Sequence, residues 1–256
     1  MPSPQAVGTQ QSPQTLSQPS PPQPTYAGPV IVLDPAHGGT DPGARGQTGA
    51  IEKDVVLQFA RAARAELVRQ GYRVVLTRDD DSNPSYDDRA AIANSYHDAI
   101  FVNLHVSSTG TVDSARAFFY QFWSSFSPQS RLPAPDAGQT SEPATESTTA
   151  VASVPPISSS SLVPWNEAQR SSADVSHRLA DQLQIQLAQQ FPGSPAVSKG
   201  VAIRGLRSVV APAVAIEISS VATTTAASLS ATAGPLAVSI ARGIQAFRPA
   251  NSAVSK

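Results

Sequence analysis

The stretch Val30-Ile31-Val32-Leu33-Asp34-Pro35-Ala36-His37-Gly38-Gly39 decides the fold of this chain. Its apolar run ends abruptly in Asp-Pro and two glycines, which predicts a buried strand over residues 29–34 that breaks into a tight loop. Ligands of open α/β sheets bind outside the carboxyl ends of the strands. His37 in that loop is therefore placed to bind a metal ion, to transfer a proton or to cap the loop.

Apolar runs alternate with amphipathic segments along the rest of the chain. Four more strands are predicted, over residues 72–77, 99–104, 115–122 and 213–218. Helices are predicted from Glu52 to a cap at Gly71 and over residues 86–96, 166–190 and 235–247; the first has a core-facing stripe of Val56, Ala60, Ala63 and Leu67. This alternation predicts a single α/β domain with a mostly parallel (mixed) twisted sheet and helices on both faces.

Two segments have a different composition. Of 23 prolines, eight lie in residues 1–29 and seven in residues 127–165, both of which are also rich in Ser, Thr and Gln. Such segments bury too little apolar surface to offset their ordering entropy. We expect a flexible linker at 1–28, a catalytic domain at 29–248 with a Ser/Pro-rich insert at 127–165, and a tail at 249–256.

Charge and composition exclude several classes of function. The 18 basic and 19 acidic residues give a net charge of −1, which argues against nucleic acid as the main partner. The absence of cysteine rules out disulfides and thiolate ligands. No apolar run suggests a membrane span, and Pro2-Ser3-Pro4-Gln5 does not begin a signal peptide. We expect either a cytoplasmic protein or one from which a targeting or anchor segment has been removed.

Two of the four histidines directly follow apolar strands. His105 comes after the strand 99–104 as His37 comes after the first, so both should lie at the same edge of a parallel sheet. Glu52 begins the first helix, where a carboxylate is also a common helix cap. Together, two histidines and one carboxylate form a catalytic zinc set that leaves one position for water.

Glu217 interrupts the apolar strand Ala213-Val214-Ala215-Ile216-Glu217-Ile218. A charge in a buried strand is costly unless it is paired. Glu217 is therefore either solvated at the strand end, paired with an arginine, or a general base beside a metal.

The run Leu33-Asp34-Pro35-Ala36-His37-Gly38-Gly39-Thr40-Asp41-Pro42-Gly43-Ala44, followed by Glu52-Lys53, resembles the zinc-dependent N-acetylmuramoyl-L-alanine amidases of the cell-wall hydrolase type. The resemblance continues through Gly71, Val74, Thr77-Arg78, Arg89, Ala93-Asn94, Phe101-Val102-Asn103-Leu104-His105 and Pro212-Ala213-Val214-Ala215-Ile216-Glu217. It covers residues 29–248 apart from the insert. The sequence departs from the family pattern at Ala36, Ser107-Ser108 and Ile218-Ser219-Ser220.

The resemblance implies one zinc ion, held by His37, Glu52 and His105, with Glu217 as the general base. It implies cleavage of the amide between N-acetylmuramic acid and L-alanine of the stem peptide, for cell-wall remodelling or daughter-cell separation. Peptidoglycan would then be the partner, and the periplasm or cell envelope the location. The substrate-binding residues and the oligomeric state stay open.

Two other functions would account for part of this pattern. A zinc carboxypeptidase also uses His, Glu and His, but its first pair is closely spaced as His-x-x-Glu, whereas His37 and Glu52 are fifteen residues apart. A non-catalytic wall-binding module would be indicated by loss of a ligand or of Glu217, and neither is lost.

Weaker candidates have simpler interpretations. His97 is expected to be a surface or capping residue, His177 an exposed helix residue, and Asp41 a loop-stabilising residue or a neighbour of the metal. Arg78 and Arg89 are expected to pair with Asp79–Asp81 or with buried carboxylates. In some amidases of cell division, an insertion at the place of 127–165 covers the zinc until an activator protein removes it. Glu142 or Glu146 could reach a metal, but the composition favours a loop with no inhibitory role.

Overall fold

The structure is a computed structural model that describes residues 26, 28–122 and 164–247. The predicted tail and almost all of the predicted linker and insert lie outside these residues. The elements in chain order are β1 Val30–Pro35, α1 Glu52–Arg69, β2 Val74–Leu76, α2 Tyr86–Asn94, β3 Ala99–Ser107, β4 Ser114–Tyr120, a 3-10 helix Trp165–Ser172, α3 Ala173–Gln190, β5 Lys199–Val201, α4 Arg204–Arg207, β6 Ala213–Ser219, α5 Ala226–Ala231 and α6 Ala233–Ala246.

The strands form one mixed sheet in the order β2-β1-β3-β6-β4-β5. The pairs β2–β1, β1–β3 and β3–β6 are parallel. Strand β4 runs antiparallel to β6 and parallel to β5. The carboxyl ends of β1, β3 and β6 therefore lie at one edge of the sheet, and β4 begins at that edge and ends at the other.

Helices cover both faces of the sheet. One apolar core packs α1, α3 and α6 against one face, and it includes all four residues of the predicted stripe, from Val56 to Leu67. A smaller core on the other face contains Ala90 and Ala93 of α2 and Leu206 of α4. The predicted fold class is confirmed.

Alternation along β3 sets the direction of its side chains. Ile100, Val102 and Leu104 belong to the larger core, and Phe101 belongs to the smaller one. Because successive strand residues point to opposite faces, Asn103 and His105 follow Phe101 on the smaller-core face. The period of two thus directs His105 away from the larger core.

The structure corrects several predicted elements. His105 does not follow the third strand but lies inside it, because β3 continues to Ser107 in pairing with β6. The predicted helix 166–190 is a 3-10 helix to Ser172 followed by α3. The short elements β5, α4 and α5 were not predicted.

The described residues that flank 123–163 lie at the edge of the sheet opposite the carboxyl ends of β1, β3 and β6. The end of β4 lies beside the start of β6, since Phe119 pairs with Val214. On the other side of the insert, Gln169 donates to the backbone oxygen of Ala211, just before β6. The guanidinium of Arg170 lies 4.4 Å from the ring centre of Phe122, so the two attachment points are neighbours.

Within the described ranges, no helix has both the length and the apolar character needed to cross a membrane.

Candidate metal centre

His37, Glu52 and His105 converge at the carboxyl edge of the sheet. One ligand atom from each lies within 4.8 Å of the others. His37 comes from the loop after β1, Glu52 from the first residue of α1, and His105 from β3. The two imidazole rings meet edge to face, with 5.3 Å between their centres. The fold thus brings together the three residues that sequence reasoning grouped.

Glu52 is the buried centre of this cluster, with 4% of its surface exposed. Oε1 lies 2.9 Å from Nδ1 of His105, and Oε2 lies 3.2 Å from Nε2 of His37. The backbone N–H groups of Ala44 and Val106 also donate to the carboxylate, at 2.8 and 3.0 Å. Burial raises the pKa of Glu52, but the hydrogen bonds from His105, His37 and Ala44 outweigh it and lower that pKa well below its usual range. Glu52 is therefore ionised at neutral pH.

The backbone at His37 is left-handed, with φ of 61°. Asp41 supports this loop twice: Oδ2 lies 2.8 Å from Nδ1 of His37, and Oδ1 accepts from the N–H of Gly43 at 3.1 Å. Hydrogen bonding to Glu52 raises the pKa of His37, against burial, and Asp41 raises it further. Both interpretations of Asp41, as a loop-stabilising residue and as a neighbour of the cluster, describe its contacts. Ala36 is not among the positive-φ residues, so alanine suits this position.

Gly43 leaves the space in which the cluster sits. A Cβ at this position would lie 2.5 Å from Oε2 of Glu52 and 2.6 Å from Cδ2 of His37. Two imidazoles and one carboxylate with no thiolate are a donor set that suits a first-row transition-metal ion such as Zn²⁺. The residues present fit such an ion.

Two buried arginines hold the backbone of the His37 loop. Arg78 donates to the carbonyl oxygens of Pro35, Ala36 and Lys53. Arg89 donates to the oxygen of His37 at 2.9 Å and forms an ion pair with Asp34. Both arginines are structural, as expected, but Arg78 binds carbonyls rather than the carboxylates that were predicted.

Asp34, near the end of β1, connects this strand to residues of neighbouring elements. Its carboxylate accepts hydrogen bonds from Thr77, Arg89 and Asn103 at 2.5, 2.6 and 2.8 Å. Sequence reasoning did not single out Asp34, although an acidic residue that ends an apolar strand is a signal that could have identified it.

A cavity of about 300 Å³ opens beside the cluster. It lies on the α2 side and is lined by Asp34, Ala36, His37, Asp41, Asn83, Pro84, Ser85, Tyr86, Arg89, Asn103 and His105. The side-chain oxygen Oδ1 of Asn103 is buried and has no hydrogen-bond partner among the described residues. The cavity offers a ligand at the candidate metal centre a polar wall in which charged and uncharged groups are mixed.

Glu217 lies on the side of His105 that is opposite the cavity. The two residues are register partners in the parallel pairing of β3 and β6, and Arg116 of β4 is the register partner of Glu217 in turn. Glu217 is half-buried rather than buried. Glu217 is therefore the neighbour of His105 on the same face of the sheet, and it is not one of the three residues that converge in the cluster.

The remaining histidines lie away from the cluster. His97 is exposed. His177 is also exposed, and its ring stacks on Phe119 with 4.1 Å between centres. Glu142 and Glu146 lie outside the described residues.

Comparisons with known proteins agree on one family. Residues 31–246 match a family model described as N-acetylmuramoyl-L-alanine amidase. The chain is 42% identical over 88 residues to N-acetylmuramoyl-L-alanine amidase AmiC of Neisseria meningitidis serogroup B, covering 34% of this chain and 21% of that protein. It is 42% identical over 82 residues to the sporulation-specific N-acetylmuramoyl-L-alanine amidase of Bacillus subtilis, covering 31% of this chain and 32% of the relative. The alignments thus span less than two thirds of these curated relatives.

Solved structures share the fold. N-acetylmuramoyl-L-alanine amidase AmiC2 of Nostoc punctiforme superposes with a TM-score of 0.60 at 21% identity, covering 87% of this chain and 98% of that chain. The CwlD amidase of Clostridioides difficile, solved in complex with the GerS lipoprotein, gives a TM-score of 0.60 at 19% identity, with coverages of 86% and 98%.

Proposed function

This chain belongs to the N-acetylmuramoyl-L-alanine amidase family, and on that premise we propose that it hydrolyses the amide between N-acetylmuramic acid and L-alanine of peptidoglycan stem peptides. The observation that carries the proposal is the convergence of His37, Glu52 and His105 within the matched span. Three protein donors with room for a further ligand are typical of catalytic rather than structural metal sites.

The resident metal is proposed to be zinc, held by His37, Glu52 and His105. When bound, zinc would polarise the amide carbonyl and make water a better nucleophile at neutral pH. The protein would supply the metal-binding atoms and hold them in position. Glu52 supplies a carboxylate that stays ionised, and the contact of Asp41 with Nδ1 of His37 leaves Nε2 facing the cluster.

Glu217 is proposed as the general base. Neighbouring strands lie about 4.8 Å apart, so the register of Glu217 with His105 supports a role for its carboxylate beside the reacting amide. From there it can accept the proton of the attacking water and pass it to the nitrogen of the leaving L-alanine. This transfer breaks the amide and yields a free lactyl carboxylate and a free amine.

Peptidoglycan as substrate places the activity in the periplasm or elsewhere in the cell envelope, in cell-wall remodelling or daughter-cell separation. A protein activator is proposed as a further partner. The CwlD relative was solved with a lipoprotein partner, which supports asking whether this chain has one.

Product analysis tests this function directly. Protein loaded with zinc should contain about one ion per chain and release stem peptides with a free L-alanine amine from purified peptidoglycan. A new sugar reducing end in place of that amine would show a glycosidase and overturn the proposal.

The general base is tested by Glu217→Gln. This variant should keep its zinc and lose about 10²- to 10⁴-fold in turnover. Glu66→Gln, which alters a carboxylate paired with Arg69 on α1, is the matched control and should retain activity. A fully active Glu217→Gln protein would show that the base is wrongly assigned.

A further inference from the structure

Arg116 projects from β4 toward the side of the site that bears Glu217. Ala115 and Ala117 belong to the larger core, so the alternation of the strand turns Arg116 to the face of Phe118 and the smaller core. Arg116 and Glu217 are register partners, as are Glu217 and His105. The three residues therefore form a row across β4, β6 and β3 at the edge where the metal donors meet.

The guanidinium of Arg116 is unpaired in the part of the chain that the structure describes. Arg116 is half-buried, and it makes neither an ion pair nor a side-chain hydrogen bond there, even with Glu217 opposite. The other arginines near the site differ, because the guanidinium groups of Arg78 and Arg89 donate repeatedly to carbonyl and carboxylate oxygens. Five N–H donors without acceptors beside a catalytic centre are available to a ligand.

We propose that Arg116 binds a carboxylate of the stem peptide and so selects substrates in which that carboxylate is free. The inference rests on the proposed amidase function and deepens it. Arg suits this role because its planar fork matches the two oxygens of a carboxylate.

Distances along the row agree with this assignment. Two strand spacings separate the backbones of His105 and Arg116, which is about 10 Å. An extended peptide covers about 3.5 Å per residue, so the α-carboxyl carbon of the second stem residue lies about 7 Å from the scissile amide. The long arginine side chain covers the remaining distance.

The charges on the two sides of His105 determine the direction of the substrate. On the α2 side, Arg89 neutralises Asp34 in a buried ion pair, Asp41 adds a negative charge to the cavity, and the uncharged Asn83, Ser85 and Tyr86 suit sugar hydroxyls. On the β4 side, Arg116 supplies an unpaired positive charge. The sugar therefore lies over the cavity and the peptide over β6 and β4.

The test uses two muramoyl tripeptides that differ only in whether the α-carboxyl of the second peptide residue is free or amidated. Wild-type protein with zinc should prefer the free carboxylate by about tenfold to hundredfold in kcat/KM, chiefly through KM. Arg116→Gln should collapse this preference toward unity, and Arg116→Lys should restore part of it. Arg64→Gln, a surface arginine paired with Asp79, is the control and should keep the preference.

Three results would overturn the inference. The first is a wild-type protein that shows no preference for the free carboxylate. The second is an Arg116→Gln protein that retains this preference. The third is an equal loss on both tripeptides with a shifted pH profile, which would mean that Arg116 acts through Glu217 instead.

Equilibrium binding separates this inference from the proposed function. Zinc-loaded Glu217→Gln protein should bind the free-carboxylate tripeptide more tightly, and adding Arg116→Gln should remove the difference. If wild type hydrolyses neither tripeptide but this binding difference is found, the amidase proposal fails while the role of Arg116 stands. If the difference is absent, the role of Arg116 fails whatever the activity.

Discussion

Asp34 and Arg89 form a buried ion pair, with 2.6 Å between Oδ1 and Nη1 and only 1% and 4% of the two residues exposed. Arg89 also donates to the backbone oxygen of His37. The pair thus ties the end of β1 to the loop that carries a proposed metal ligand. We therefore expect stability and metal binding to be coupled through this guanidinium.

Arg89→Ala should destabilise the protein by about 3–5 kcal/mol, because it leaves the Asp34 carboxylate buried without its cation. Arg61→Ala is the matched control, since it removes an exposed pair with Asp79 and should cost at most about 1 kcal/mol. Urea unfolding of the metal-free proteins measures both. Equal costs for the two variants would show that the buried pair contributes no more than a surface pair.

Gly43→Ala should weaken zinc binding, because the added Cβ would meet Glu52 and His37 at less than van der Waals distance. We expect a loss of at least about tenfold in affinity, comparable to the loss of a residue that orients a ligand. Gly49→Ala also places alanine at positive φ, but its Cβ meets nothing within 4 Å, so only backbone strain should result. Calorimetric titration with zinc would contradict the prediction if both variants bound zinc like wild type.

Asp41→Ala should lower zinc affinity about 10- to 100-fold, because Nδ1 of His37 loses the partner that orients its ring. Thermal unfolding of the metal-free variant distinguishes an effect on the ligand from a general loss of structure. An unchanged zinc affinity would show that Asp41 only stabilises the turn with Gly43 and does not orient the His37 ring.

Asp88→Asn tests the start of α2, which lines the cavity. Ser85 and Asp88 form a capping box, and hydrogen bonding from Ser85 lowers the pKa of Asp88 below its ordinary value of 3.8. A lowered pKa in the folded state stabilises the protein above the unfolded pKa, and this contribution is lost as pH falls through the folded pKa. Wild type should therefore exceed Asp88→Asn in stability at pH 7, and the difference should shrink below about pH 4. A difference that grows on acidification would contradict the sign.

Deleting residues 130–160 should leave amidase activity within about twofold, as expected for a Ser/Pro-rich segment without an inhibitory role. Because Arg170 lies against Phe122, the remaining residues can reconnect the chain without moving β4. A large rise in activity on peptidoglycan would instead support autoinhibition. Unfolding curves control for damage to the fold.

Much of the site could be predicted because its residues follow strong local signals. His37 follows an apolar run that ends in Asp-Pro, and Glu52 begins a helix whose apolar stripe is regular. Periodicity does not encode strand order, so it could not show that β6 lies between β3 and β4 and brings Glu217 beside His105. That His105 lies within β3 also depends on pairing with β6, which extends the strand past its apolar run.

The short elements were missed for a related reason. Strand β5 has three residues and α4 has four, too few to show a period, and tertiary contacts alone hold them. Arg116 was not singled out because a lone arginine between alanines looks like an ordinary half-exposed strand residue. Its proposed role rests on its register with Glu217 and on its lack of a partner among the described residues, and both require the structure.

The reversed direction of β4 has a consequence for the proposed action on an insoluble polymer. The first residues of β4 lie at the edge of the sheet that bears the candidate metal centre, and its end, next to Phe122, lies at the opposite edge. Under the proposed function, the edge with the candidate metal centre would face the polymer, while Phe122 and Arg170 lie together at the opposite edge. We then expect changes of chain length between Phe122 and Pro164 to leave the approach to the proposed substrate unaltered.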